Sequence, residues 1–465
     1  MHMCITACSV IASRGHCDTS SALQYLGVCM HRFLVLLAMV GCASPAMAAE
    51  INAGNTAWLL VCSALVMLMT PGLAFFYAGM VHRKNVVSTL LQNYVALALV
   101  GIIWVAVGYS LVFSEGNAFI GTLEFFMLDG IADQMYGDTG VPLMAFMAFQ
   151  MMFAIITPAL ITGAFAERVN FKAWLVIMVI WSLIVYLPVA HWVWGPGGWI
   201  ATIGGLDFAG GLVVHITAGV SGLASGLLFG RRAHRPSLKP NDVTLIMLGA
   251  ALLWFGWFGF NAGSAITSGA LASYAFVNTL LGGAAAFLTW MVLDWQVEGR
   301  PTAVGSAVGI VVGLVAITPA AGYVTVQSAL IIGVVASIVA YLAVMQVRKI
   351  THLDDALDVF ACHGIGGIVG AILTGLYASK EVNPTIDNEG YFVSGETDLF
   401  VANLTSVAAV SLYAFIATVV IVKLVNLFIP IRVTAEIEGS GLDEGIHGES
   451  RHHGGMEEMN PYTWR

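Results

Sequence analysis

The sequence predicts an all-α polytopic membrane protein of eleven transmembrane helices, with two inverted five-helix repeats around a central pore and one extra helix. The first observation is composition, because 58% of the 465 residues are hydrophobic and only 10% are charged. An average soluble domain has about 25% charged residues. The second observation is the mean hydropathy of +0.86. The third is the 51 glycines, which suit helices that pack closely in lipid.

The charge of the chain is confined to a few segments. The net charge of -9 lies in loops and the tail, so it does not indicate a nucleic-acid partner. Cys62 and Cys362 both lie in hydrophobic spans, far apart in sequence, and give no argument for a disulfide or a zinc site.

The first 48 residues are predicted to lie outside the membrane domain. Residues 30–48 resemble a secretory signal peptide, since basic residues precede an apolar run and Ala46-Met47-Ala48 is a small-x-small cleavage site. Residues 1–29 resemble neither a signal nor a folded module, and we predict that they precede the true start, Met30. Lipidation at Cys42 is an alternative fate of the signal segment. Removal of the signal peptide would put the mature amino terminus outside.

The transmembrane domain is predicted to occupy residues 55–428. A span needs about 20 mainly apolar residues, and eleven segments meet this requirement. They centre near residues 67, 100, 153, 181, 218, 252, 285, 311, 337, 367 and 413. The span near residue 311 is the richest in glycine and alanine, and its edges are the least distinct.

Basic residues orient these spans. Every basic loop residue except Lys380 follows or ends an odd-numbered span. The set comprises Arg83, Lys84, Arg168, Lys172, Arg231, Arg232, Arg235, Lys239, Arg300, Arg348, Lys349, Lys423 and Arg432. Because basic loops stay in the cytoplasm, the amino terminus is predicted outside and the tail, residues 429–465, inside. The signal peptide independently predicts the same orientation.

Two histidines occupy corresponding positions in the two halves of the chain. Asp207 precedes His215 in span five, and a group of acids at 354–358 precedes His363 in span ten. Span five enters from outside and span ten from inside, so the halves would be inverted, as in many transporters with a site near the midplane. Small residues share a helical face with each histidine, so both rings are predicted to point into the bundle.

Several interpretations of these residues stay open at this point. An ionisable ring in an apolar span is costly unless it is used, but each histidine alone could simply satisfy a buried hydrogen bond. Two at symmetry-related positions favour a functional pair. An intramembrane metal enzyme is another alternative, but no acid lies at ligand spacing, so we predict no metal, no cofactor and no enzymatic activity. Asp207 suits the capping of span five, a role that can coexist with a functional one.

Aromatic residues cluster near the predicted outer face. The segment 190–199 contains three tryptophans, which fit either an interfacial aromatic belt or a cation site. Phe149 and Phe153 lie four apart and therefore on one helical face, where plain packing is the commoner role. Near span six, Ser264 follows the aromatic run that begins at Trp257.

With these residues, the chain resembles bacterial members of the Amt, methylammonium permease and Rhesus family of ammonium transporters. Four blocks carry the resemblance, at 163–168, 207–215, 256–264 and 358–364. The similarity runs in family order from about Asn55 into the tail, where 441–443 and 447–449 resemble the family's regulatory end.

The resemblance implies site residues and a mechanism. Trp194, Phe153 and Ser264 match the outer recruitment site, Phe149 and Trp257 its flanking walls, Phe153 and Phe260 the gate, and His215 and His363 with Asp207 the proton relay. Ammonium is expected to bind by cation–π contact and hydrogen bonding. It would lose its proton near the gate because a bare cation in an apolar channel is costly. Ammonia would then pass the histidines, whose two ring nitrogens suit a proton relay.

The resemblance also implies partners and location. These are ammonium or methylammonium as substrate, a homotrimer with one pore per subunit, a PII-type regulator at the cytoplasmic face and the bilayer of the bacterial inner membrane. An alternative function is an ammonium sensor that signals through its tail. A fused signalling domain would favour the sensor, and only a short polar segment follows span eleven.

Overall fold

A computed structural model of the protein describes residues 50–233, 240–350 and 352–449. The predicted extension 1–29, the signal peptide 30–48 with Cys42, and the last residues of the tail lie outside the described residues. Within the described part, eleven apolar helices follow one another, and each contains one predicted span centre. They are α1 (Ala53–Met80), α2 (Arg83–Phe113), α3 (Leu143–Ile161), α4 (Phe171–Thr202), α5 (Gly211–Phe229), α6 (Val243–Gly263), α7 (Ala270–Glu298), α8 (Ala303–Ile317), α9 (Val326–Val347), α10 (Phe360–Tyr377) and α11 (Asp398–Phe428). The predicted membrane fold is therefore confirmed.

Helix α8, whose edges were the least distinct in the sequence, is the short member of the set. Its 15 residues span about 22 Å, less than the hydrocarbon thickness of about 30 Å. Pro319 lies two residues beyond its end and is incompatible with a continuing helix. Val312 and Leu314 are fully buried, so α8 is enclosed by other helices.

Helices α1 and α6, which begin the two halves, pack through glycine. A Cβ added at Gly249 would lie 2.4 Å from the backbone nitrogen of Phe76, and one at Gly256 would lie 2.3 Å from Cγ of Met69. Both distances are too short for any side chain. The two helices therefore approach each other as closely as small residues allow in a membrane bundle.

Helices α5 and α10 end the two halves and share an unusual start. Each begins with a six-residue π-helical segment, Gly211–Ile216 in α5 and Phe360–Ile365 in α10, and each segment contains one of the two histidines. The helices cross where a Cβ at Gly219 would lie 2.0 Å from the backbone nitrogen of Gly364. The matching starts agree with two repeats of opposite direction, and the close crossing brings the histidines together.

The odd-numbered helices end at the face that carries the basic loops, which we call the basic face. On the opposite face, strands β1 (Met135–Tyr136) and β2 (Val141–Pro142) form a short antiparallel hairpin before α3. On the basic face the chain continues beyond α11 into a short helix, α12 (Ala435–Ser440), and a π-helical turn, Asp443–His447.

The tail is fixed to the basic face by hydrogen bonds to two loops and to the start of α2. Val433 donates its backbone N–H to the carbonyl of Arg168, and a carboxylate oxygen of Glu438 accepts from the backbone N–H of Ala233. The carboxylate of Asp443 accepts the N–H groups of Val87 and Ser88 at 3.1 and 2.8 Å, which caps α2. The segment that resembles the family's regulatory end is thus part of the folded domain.

Candidate functional site

A cavity of about 240 Å³ opens on the face opposite the basic face, between α3, α4 and α6. Its lining includes three residues of the predicted recruitment site, Phe153, Trp194 and Ser264. A water molecule occupies about 30 Å³ of liquid volume, so the cavity has room for a small cation that keeps part of its hydration. The structure therefore brings these three residues together in an open vestibule.

The rings and the hydroxyl in this cavity suit a small cation that can donate hydrogen bonds. Phe153 and Trp194 meet edge to face, with ring centroids 5.9 Å apart and an interplanar angle of 88°. The hydroxyl of Ser264 donates to the carbonyl of Phe260 at 2.9 Å, which leaves its oxygen lone pairs free to accept. Aromatic faces attract a cation, and the serine oxygen can accept one of its N–H groups.

Phe153 and Phe260 close the bottom of the vestibule. Their ring centroids lie 4.2 Å apart at an interplanar angle of 30°, and both side chains are buried. Phe153 lines the vestibule, whereas Phe260 lines a second, inner cavity. The ring pair predicted as the gate thus separates the two cavities.

The inner cavity is small and mainly apolar. Its volume is about 10 Å³, close to the smallest that admits one water-sized molecule. The histidines His215 and His363 and the indole of Trp257 line it among aliphatic and phenylalanine side chains. A cation with its hydration shell cannot fit, whereas a molecule the size of water or ammonia can.

The two histidines contact each other directly. Their Nδ1 atoms lie 3.3 Å apart, and their ring centroids lie 5.4 Å apart at an interplanar angle of 23°. A hydrogen bond between two like nitrogens requires that one ring donates and the other accepts. Nε2 of His215 is buried and has no hydrogen-bond partner among the described residues. This atom is therefore available to a molecule in the inner cavity.

Asp207 caps the π-helical start of α5. Its two carboxylate oxygens accept the backbone N–H groups of residues 210, 211, 212 and 213, at 2.9, 2.6, 2.7 and 3.2 Å. Asp207 also lines the vestibule, and Nε1–H of Trp194 donates to the backbone carbonyl of Asp207 at 3.0 Å. Burial raises the pKa of Asp207, and the four N–H groups act in the opposite direction. The capping role expected from the sequence is present, and the residue also belongs to the vestibule.

The two predicted wall residues both lie away from the vestibule. Phe149 packs behind the gate, with its ring centroid 4.9 Å from that of Phe153, and lines neither cavity. Trp257 lies at the inner cavity instead, stacked 5.4 Å from His215, and its Nε1–H donates to Oγ1 of Thr318 at 2.8 Å. Phe149 therefore supports the gate and Trp257 lines the inner cavity, and neither residue lines the vestibule.

Sequence reasoning missed four polar residues of the vestibule, namely Tyr136, Gln150, Tyr323 and Asn383. Three of them come from loops or strands far apart in the chain, so no local pattern connects them. Oε1 of Gln150 is buried and has no hydrogen-bond partner among the described residues, which leaves an acceptor at the vestibule.

Asp355 belongs to the group of acids at 354–358 noted in the sequence, where it was given no role of its own, although a simple signal marks it. It precedes His363 by eight residues (355 to 363), as Asp207 precedes His215 (207 to 215). Its Oδ2 accepts the backbone N–H of Phe360 at 2.7 Å and so caps the π-helical start of α10. Burial, together with the nearby Asp358 carboxyl, raises the pKa of Asp355 to about 7.

Comparison with known proteins agrees with this architecture. The family profile described as the Ammonium Transporter Family matches residues 57–452. An ammonium transporter of Bacillus subtilis (strain 168) is 47% identical over 405 residues, which cover 87% of this chain and 99% of the relative.

Solved structures give the same result. The crystal structure of Saccharomyces cerevisiae Mep2 superimposes with a TM-score of 0.78 at 36% identity, covering 83% of this chain and 91% of Mep2. A structure of a sensor Amt protein gives a TM-score of 0.77 at 28% identity, covering 84% and 97%. On the evidence of its fold, its site and its relatives, this chain belongs to the Ammonium Transporter Family.

Proposed function

We propose that the protein conducts ammonium by recruiting the cation in the vestibule, removing its proton and passing ammonia through the inner cavity while the histidine pair relays the proton. The observation that carries this proposal is the contrast between the two cavities. A vestibule of about 240 Å³ with aromatic faces suits a cation, and an apolar space of about 10 Å³ does not.

Recruitment would occur at Trp194, Phe153 and Ser264. Ring faces and an accepting hydroxyl together stabilise a cation that carries N–H donors. Potassium would gain the cation–π attraction, but it has no N–H to donate to Ser264. Asp207 supports recruitment through its charge and through its contact with Trp194.

Deprotonation would occur near the gate of Phe153 and Phe260. Transfer of a bare cation into an apolar space costs many kcal/mol unless its charge is neutralised. Ammonia, being neutral, avoids this cost, whereas potassium has no proton to release. Selectivity therefore follows from chemistry that only ammonium and its close analogues can perform.

The proton would cross through His215 and His363. Neutral imidazole accepts at one nitrogen and donates at the other, and the Nδ1 contact of 3.3 Å joins the two rings. The free Nε2 of His215 provides the entry point for a proton. Asp207 and Asp355 cap the two π-helical segments and thereby fix the positions of the two histidine rings relative to each other.

The location and partners of the protein are part of the same proposal. The basic face is cytoplasmic, by the positive-inside rule, in the inner membrane of a bacterium, and the amino terminus is periplasmic. We further propose a homotrimer with one pore per subunit and a PII-type regulator that binds at the basic face. The described tail lies at that face, where such a regulator would meet it.

Currents on proteoliposomes adsorbed to a solid-supported membrane test the relay. We expect the double variant His215→Asp/His363→Glu to lose either its ammonium current, by at least about tenfold, or its selectivity over potassium. Carboxylates place charge in the inner cavity and lack the paired accepting and donating nitrogens of imidazole. The control is His352→Asp, which changes an exposed histidine outside the pore. Undiminished ammonium current together with unchanged exclusion of potassium would disprove the relay.

A second candidate function is ammonium sensing with little transport. The observation that favours it is the similarity to a sensor Amt protein, together with a tail that is folded against the domain. The same recordings separate the two functions, since a sensor that transports little gives at most a small current when ammonium is supplied.

A further inference from the structure

We propose that Asn55, at the start of α1, is a positioning residue for the vestibule and sets its affinity for the cation. This inference rests on the proposed function, in which the vestibule takes up ammonium. Asn55 does not line the vestibule. It instead fastens together two separate segments that do, the hairpin β1–β2 and the loop 264–269 between α6 and α7.

The side chain of Asn55 uses both ends of its amide. Its Nδ2 donates to the backbone carbonyl of Thr139, in the hairpin, at 2.8 Å. Its Oδ1 accepts the backbone N–H of Ser268 at 2.9 Å and the hydroxyl of the same serine at 3.1 Å. One half-buried side chain on a rigid helix thus ties two loops that are distant in sequence.

The hairpin end of this link leads to Tyr136. The hydroxyl of Thr139 donates to the carbonyl of Tyr136 at 2.6 Å, so the turn that Asn55 grips is joined to this tyrosine. The ring of Tyr136 stacks on Phe146 with centroids 3.8 Å apart and an angle of 16°. Both rings line the vestibule. Displacement of the hairpin would therefore move an aromatic wall.

The other end of the link leads to Ser264 and Ile266. Ile266 has φ of +62°, a conformation that is a clear outlier for a β-branched residue. Such backbone persists only where its surroundings fix it, and the two hydrogen bonds from Ser268 to Asn55 lie just beyond it. Ser264 and Ile266 both line the vestibule. Release of Ser268 would let this loop relax and move the accepting hydroxyl.

Loss of the hydrogen bonds made by Asn55 should affect only the binding of the cation in the vestibule. The gate and the histidine pair lie on α3, α5, α6 and α10, and Asn55 contacts none of them in its hydrogen bonds. Loss of the link should loosen the vestibule without changing the proton relay. We therefore expect the Michaelis constant to change while the maximal current stays nearly constant, and we expect weaker discrimination against the larger methylammonium.

The test uses Asn55→Ala, which removes both ends of the link, and Asn55→Asp, which keeps the acceptor for Ser268 but loses the donor to Thr139. In currents recorded over an ammonium concentration series, Asn55→Ala should raise the Michaelis constant about fivefold, the effect of about one neutral hydrogen bond. Asn55→Asp should raise the Michaelis constant less than Asn55→Ala does, because it keeps the bonds to Ser268. Both variants should keep the maximal current within about a factor of two, and the ratio of methylammonium to ammonium current should increase.

Asn52→Ala is the matched control. The side chain of Asn52 caps the same end of α1 by accepting the N–H of Asn55 at 3.0 Å, but it makes no side-chain bond to either vestibule segment. If Asn52→Ala raises the Michaelis constant as much as Asn55→Ala, the effect belongs to the helix end and the proposal fails. It also fails if Asn55→Ala leaves the Michaelis constant unchanged.

Hydrogen-exchange measurements distinguish a failure of this proposal from a failure of the proposed function. Amides in 135–142 and in 264–269 should both exchange faster in Asn55→Ala than in the wild type, and Asn52→Ala should leave 264–269 unaffected. If only one of the two segments responds in Asn55→Ala, the link does not exist as proposed. A wild-type protein without ammonium current would instead refute the proposed function, and the exchange result would still decide whether Asn55 joins the two segments.

Discussion

Asp355 shows how one buried carboxyl can hold a helix in place and respond to pH. It is 8% exposed, and one of its oxygens caps α10 while the other, Oδ1, has no partner among the described residues. Burial and the neighbouring Asp358 raise the pKa of Asp355 to about 7 in the folded state, against about 4 in an unfolded chain. The folded protein therefore retains this proton over a pH range in which the unfolded chain has lost it.

This difference predicts a pH-dependent stability. Between pH of about 4 and about 7 the folded state binds more protons, so this group lowers the free energy of unfolding by about 1.4 kcal/mol for each unit that pH rises. The stabilisation is complete below the unfolded pKa and is lost as pH rises through the folded one. Asp355→Asn removes the titration. We expect the melting temperature of wild type minus that of Asp355→Asn to decrease steadily from pH 5 to pH 7.5 in detergent.

The exposed Asp387 provides the control for this experiment. Asp387→Asn should give a difference from wild type that does not vary with pH in this range. If the difference in melting temperature between wild type and Asp355→Asn is also independent of pH, the pKa of Asp355 is not raised in the folded protein.

At the scale of residues, the sequence predicted those side chains that belong to short, contiguous motifs. His215, His363, Phe153, Phe260, Trp194 and Ser264 all lie where a local pattern drew attention to them, and the structure brings them together. Asn55 and Tyr136 could not be found this way, because their role depends on contacts between loops. Asp355 could have been singled out among the acids at 354–358, since it repeats the eight-residue spacing of Asp207 and His215.

The crossing of α5 and α10 determines how close the two histidines can come. The backbones touch at Gly219 and Gly364, where even one methyl group would lie 2.0 Å from a backbone nitrogen. Backbone cannot move aside as a flexible side chain can. The separation of the rings is therefore set by the absence of a side chain at this crossing.

Gly219→Ala should separate the two helices and break the contact between the histidines. We expect the ammonium current to fall at least about tenfold, a typical minimum for the loss of an acid–base relay. Gly366→Ala is the control, since its new Cβ would lie 3.1 Å from a valine side chain that can adjust. A cryo-EM structure of the Gly219→Ala variant should show the Nδ1 atoms farther apart than 3.3 Å. Wild-type currents in this variant would show that the crossing is not critical.

The helices themselves could be predicted, but their π-helical segments could not. Hydropathy alone located all eleven spans, because lipid requires each to be long and apolar. A π-helical start depends on which backbone groups a capping carboxylate and a neighbouring helix satisfy, as at Gly211–Ile216. That choice is made by tertiary contacts, so local sequence carries little signal for it.

Across the whole molecule, the end of the described chain returns to the start of α2. Asp443 accepts two N–H groups there, and the N–H of Leu442 donates to Oδ1 of Asn85 at 2.8 Å. A tail motif and a loop about 350 residues earlier thus form one unit at the basic face. Any regulator that binds this face would contact both.

Asp443→Ala should loosen the tail without unfolding the domain. Loss of a capping carboxylate costs about 1 kcal/mol, so amides in 441–449 should exchange with solvent about fivefold faster. Glu444→Ala, at the exposed neighbouring position, removes the same charge from the same turn and should leave the exchange rate unchanged. Equal protection in Asp443→Ala and wild type would show that the cap does not hold the tail.

At this scale the sequence predicted the repeated halves from a single pair of histidines. The structure adds the helix–helix contacts that hold the two halves together, which the histidine pair alone could not reveal. Glycine contacts join α1 to α6 and α5 to α10, and such contacts become visible only when the partner helix is known. The hairpin β1–β2 was not predicted, because two-residue strands are too short to give an alternating pattern.

The contact between the histidines has a consequence for direction. The same atom, Nδ1, faces its counterpart on each ring. In the proposed relay, a ring that has gained a second proton at Nε2 passes its Nδ1 proton to the other ring, and this transfer exchanges donor and acceptor. Under the proposed relay, the reacting atoms at this junction are the same on both rings and favour neither direction of proton transfer. We expect the centre of the conduit to work equally well both ways, so that net movement follows the gradients of ammonium and proton and any bias arises at the two mouths.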